Sequence, residues 1–95
     1  MSQKRACLLY FLLMVQVGYG QSDLIDSLES VVAITPDGQP KVALYYQLYR
    51  QYLYQDPAQA EAYIQAGFEL SRELGYERGI VLAYDKWGGL AMVNS

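Results

Sequence analysis

The sequence predicts an all-α fold of antiparallel helix-turn-helix repeats, and three observations carry that expectation. Apolar residues recur at three- and four-residue steps through most of residues 41–95. Asp56-Pro57 and Gly75 stand where a helix would start and stop. An aromatic and apolar motif returns after a constant offset of 39 residues, from Tyr45, Leu48 and Tyr49 to Tyr84, Trp87 and Gly88.

Residues 1–20 read as a segment separate from the fold. Lys4 and Arg5 precede an apolar run over residues 6–17, and Gly18, Tyr19 and Gly20 close it. Charge, apolar run and small residues in that order are the pattern of a secretory signal, with cleavage expected before Gln21. The run is shorter than the roughly 20 residues a membrane-spanning helix needs. Cys7, the only cysteine, precedes the run rather than ending it, so no lipid anchor is expected, and the cleaved chain would have no thiol to form a disulfide.

Residues 21–40 predict a short N-terminal helix and a Pro/Gly connector. Ser22 is placed to cap a helix in which Leu24, Leu28, Val31 and Val32 recur at helical spacing, with Asp23 and Asp26 near its positive end. Pro36, Asp37, Gly38 and Pro40 then break the pattern and favour a turn.

Over residues 41–55, Leu44, Tyr45, Leu48, Tyr49, Tyr52 and Leu53 form one broad apolar face. Tyr46 and Tyr54 extend the aromatic surface beyond it. A helix contacted from more than one side is therefore expected. Tyrosine also favours strands, but the run lacks strict alternation and is long for a strand. A second long helix starts at Asp56-Pro57, with Ala60, Tyr63, Ile64, Gly67, Leu70 and Leu74 as its apolar stripe, and ends at Gly75. A third begins near Glu77 and turns Ile80, Ala83, Tyr84, Trp87, Leu90 and Ala91 to one side. Each of Gly88 and Gly89 costs a helix about 1 kcal/mol relative to alanine, which predicts a close packing requirement at one of them.

Tyr45, Leu48 and Tyr52, followed by Ala60, Ile64 and Gly67 on the next helix, resemble the tetratricopeptide repeat family. The resemblance covers residues 41–95 as about one and a half repeats of an α-solenoid. Tyr49 stands where that family prefers a small residue, and Gly88 restores the small residue one repeat later. The period exceeds the family's usual one of about 34 residues. In this it is similar to the long-repeat variants of exported sensory regions in bacterial signalling proteins. The resemblance implies a protein or peptide partner in a concave groove lined by the first helix of each repeat, which places Tyr46, Arg50, Leu53, Tyr54 and Asp85 as binding residues. The rival assignment packs these tyrosines against neighbouring helices.

About three repeats are usually needed for independent stability. The chain is accordingly expected to be the front end of a longer protein, a truncated gene product, or a short protein that completes its core by self-association, with truncation the favoured of the three. A truncated structural fragment with no ligand of its own is the alternative function, and a membrane is expected to be involved only through a C-terminal region beyond these residues.

Other chemistry is not expected. The chain has no histidine, which excludes histidine-dependent triads and histidine metal sites. No cofactor, no metal and no catalytic residue is expected, so the chain is read as a non-enzyme. Glu69 and Glu73 beside Arg72 read as a solvated charged face rather than an acid–base pair. The net charge is −3, and loss of Lys4 and Arg5 leaves five bases against ten acids, a net of −5. With those bases scattered, nucleic acid is not an expected partner.

Overall fold

A computed structural model describes residues 21–94. The signal segment expected over residues 1–20, with Cys7, and the last residue Ser95 lie outside the described residues. Among the described residues four helices follow in chain order: α1 (Gln21–Ile34), α2 (Gln39–Tyr52), α3 (Pro57–Leu74) and α4 (Glu77–Asn94). Each helix packs on the next, α1 on α2, α2 on α3 and α3 on α4. The result is an all-α stack of the helical-repeat kind, with no strand among the described residues. Among them, too, no helix is long and apolar enough to cross a membrane.

The punctuation acts as its chemistry predicts. Asp56 caps α3, its carboxylate accepting from the Gln59 backbone N–H at 3.2 Å, and Pro57 takes up a first-turn position that needs no N–H. At the other end Gly75 adopts φ 66°, and the Gly75 and Tyr76 N–H groups satisfy the last carbonyls of α3 at Arg72 and Ser71. Only glycine takes that conformation without strain, so α4 can turn back at once.

Several boundaries and faces differ from the sequence expectation. Ser22 lies inside α1, which already includes Gln21, so it is not the cap. The second helix runs from Gln39 to Tyr52 rather than over 41–55. Gly38 accepts from the Lys41 and Val42 N–H groups at its start, and at its end the Gln55 and Asp56 N–H groups both close onto the Tyr52 carbonyl. On α1 the buried residue is Ile25, while Leu24 and Val31 are more than 40 % exposed. Leu74, Tyr84 and Ala91 are also exposed. For Leu24, Val31, Tyr84 and Ala91 the reason is that, among the described residues, α1 and α4 are covered on one side only, whereas α2 and α3 have a neighbour on both; Leu74 is the last residue of α3.

The core follows from this position. Val42, Tyr46 and Tyr49 of α2 meet Ala60, Ile64 and Leu70 of α3 and Ala83 and Leu90 of α4. Gly67 sets the α2–α3 approach, since a Cβ there would stand inside the Tyr46 ring. Gly79 does the same between α3 and α4, where a Cβ would strike Ser71 and the Tyr76 ring. Gly89 faces the Tyr49 hydroxyl, whereas Gly88 opens onto free space, so the packing requirement falls on Gly89. The α1 helix is held by Glu29, whose carboxylate accepts hydrogen bonds from Tyr63 and, at 3.4 Å, from Tyr52, with the two rings stacked 5.8 Å apart.

Candidate binding groove

The surface lined by α1, α2 and α4 contains two adjoining pockets. The first, of about 440 Å³, is walled by Leu24 and Leu28 of α1, Ala43 and Gln47 of α2 and Leu82 of α4. The second, of about 590 Å³, is walled by Leu53 and by Tyr84, Asp85 and Gly88. They share Arg50 and Lys86, so the two cations stand at the saddle between them.

Buried tyrosines form the floor. Tyr46 is 6 % exposed and donates its hydroxyl to the Gly79 carbonyl at 2.6 Å, fastening α2 to the start of α4. One turn later Tyr49, also buried, donates to the Lys86 carbonyl at 3.2 Å. The Lys86 ammonium lies 5.2 Å from the Tyr46 ring centre and 5.7 Å from that of Tyr49, so two aromatic faces hold it in place. Arg50, next in the chain after Tyr49, extends to solvent.

Of the residues expected in the groove, Arg50, Leu53 and Asp85 line it. Tyr46 contributes its floor and belongs to the core, because its ring fills the space over Gly67. Tyr54 is 82 % exposed and lies past the end of α2, outside both pockets. Sequence reasoning missed Lys86, Gln47 and the α1 wall. The offset of 39 pairs Gln47 with Lys86, so extending the groove positions by one residue on each helix would have found both.

Burial shapes the tyrosines. The Tyr46 phenol is raised above its ordinary pKa of 10.0 by burial, with the nearby Ser71 hydroxyl acting in the opposite direction. The Ser71 hydroxyl is buried, and no hydrogen-bond partner for it is found among the described residues. Tyr49 is raised by burial and then by the Asp85 carboxylate, against the influence of Arg50. Burial and the Glu29 carboxylate raise Tyr52 and, most strongly, Tyr63. A phenol whose pKa is raised on folding contributes stability that is complete below its unfolded pKa and is lost as pH climbs through the folded one. Stability is therefore expected to hold up to about pH 10 and to fall steeply above it. Absorbance titration of the phenolates checks this, with several tyrosines ionising together with loss of helicity.

The groove offers side chains only, because the helices satisfy their own backbone groups. Its chemistry is apolar contact plus charge. Another hollow, of about 340 Å³, lies among Glu69, Arg72 and Glu73 of α3, where Glu69 accepts from Gln65 at 3.1 Å. Among the described residues no three histidine, cysteine or carboxylate side chains gather to hold a metal ion. No known family model matches the chain, nor does any curated protein or solved structure.

Proposed function

We propose that the chain is a protein- or peptide-binding scaffold of the tetratricopeptide type, exported and cleaved near Gly20, and belonging to the sensory part of a bacterial signalling protein. The observation that carries the binding reading is the groove itself, where Arg50, Leu53, Asp85 and Lys86 converge from two helices over a floor of buried tyrosines. Arginine and apolar side chains around a rigid floor can supply binding energy without first having to be ordered.

The test is a selection of displayed peptides against the full chain. Selected peptides should lose at least tenfold in affinity for the Arg50→Gln/Leu53→Ser double variant and keep it for Glu61→Gln on the far side of α3. Equal affinity for all three proteins would sink the groove reading. Tyr46 is left unchanged because replacing it would disturb the core. Export is tested separately, by N-terminal sequencing of chain recovered outside the cytoplasm: the expected first residue is Gln21, and an intact Met1 in that fraction contradicts cleavage.

A second reading, a structural fragment completed by further helices, is supported by the apolar surface that α4 leaves uncovered. Val81 and Tyr84 are each more than 60 % exposed, and Gly88, beside the second pocket, has open space next to it.

A further inference from the structure

Arg50 and Lys86 are the two bases of the described residues that line both pockets. Lys41 pairs with Asp37 at 3.2 Å, and Arg72 lies over the Phe68 ring on α3 between Glu69 and Glu73. No ion pair to Arg50 or Lys86 is found among the described residues. Lys86 is held across the helix interface by the Tyr46 and Tyr49 rings, which fix its position. Among the described residues the first pocket is lined by both cations and by no acid. Asp85 lines only the second. Two converging cations are thus presented on a chain that is otherwise acidic.

Apolar walls flank that charge on both sides: Leu24, Leu28 and Leu82 in the first pocket, Leu53 and Tyr84 in the second. A single small anion would meet the cations and leave both walls bare. An extended nucleic acid would need a longer track of bases than these two. Taking the groove as a peptide site, as proposed above, we infer that it selects a segment in which one acidic side chain stands between apolar ones. The carboxylate sits on Arg50 and Lys86, and the apolar neighbours enter the two pockets. Asp85 sets the direction, favouring placement of the acid toward the first pocket.

The test measures fluorescence anisotropy of three labelled peptides with capped ends, Gly-Leu-Leu-Glu-Leu-Leu-Gly and its Gln and Lys counterparts, against the full chain. The Glu peptide is expected to bind at least tenfold tighter than the Gln peptide, with the Lys peptide weakest and the preference shrinking as salt rises. Arg50→Gln and Lys86→Met should each erase most of the Glu-over-Gln ratio. Both variants keep an uncharged stem, and unchanged circular dichroism verifies that they fold. Equal binding of the Glu and Gln peptides overturns the acidic preference while leaving the peptide groove standing. No binding of any peptide, with none recovered by selection, overturns both. Equally tight binding of N-acetylglutamate amide shows that the apolar walls take no part and also overturns the inference.

Discussion

Gly67→Val is expected to destabilise the stack by about 3 kcal/mol, the upper end of the usual cost of overpacking a core. The position is helical, and valine is the better helix former by a few tenths of a kcal/mol, so propensity alone predicts slight stabilisation. Packing decides the sign. A Cβ at Gly67 meets Tyr46, and that ring cannot swing aside without breaking the hydroxyl bond to the Gly79 carbonyl that joins α2 to α4. Urea denaturation followed by circular dichroism measures the loss. In a Tyr46→Leu background the added penalty should fall below about 1 kcal/mol, since residues in contact do not add independently. An equal penalty in both backgrounds would show that Tyr46 is not what Gly67 accommodates.

Ile64→Ala should cost about 2–5 kcal/mol, the range for truncating a buried aliphatic side chain and leaving a cavity. Ile64 is fully buried in the cluster shared by α2, α3 and α4, and no neighbour can reach the vacated space without moving a helix. For a core of this size, which supplies roughly 3–5 kcal/mol in total, such a loss unfolds a large share of the molecules. Val81→Ala is the contrast. Val81 is 65 % exposed on the outer side of α4, and its truncation should change stability by less than about 0.5 kcal/mol. The comparison separates burial from residue type, because both substitutions shorten a β-branched aliphatic side chain.

The same distinction explains what could be read before the structure was known. Asp56-Pro57 and Gly75 were legible because caps are local, set by a side chain and its own backbone within a few residues. The stripe of α3 was nearly complete for a related reason: a helix with neighbours on two sides buries most of what its periodicity marks. The faces of α1 and α4 were misread where periodicity does not say which neighbour is present, so Leu24, Tyr84 and Ala91 stand exposed while Ile25 is buried. Tyrosine compounded the ambiguity. Tyr46 suits a groove or a core equally well in composition, and only the Gly79 carbonyl, 33 residues away, draws it inward. The Glu29 clamp on Tyr52 and Tyr63 has no sequence signature, because it is made by three helices at once.

With Tyr46 in the core, the proposed recognition chemistry of the groove falls to other residues. With the tyrosine hydroxyls committed to backbone carbonyls of α4, the groups left to meet a partner are Arg50, Lys86 and the apolar walls. On the proposed reading, stability and binding are expected to be separable: core changes should act on folding, and changes at Arg50 on affinity.

Backbone amide chemical-shift mapping of the labelled full chain, titrated with the tightest peptide recovered by selection, tests this account most directly. The expected result is a contiguous set of shifts on the groove-facing residues of α2 and α4, including Gln47, Arg50, Leu82 and Lys86, with the outer side of α3 around Glu61 and Gln65 unmoved. Shifts confined to α3, or spread evenly over all four helices, would contradict a binding groove between α2 and α4.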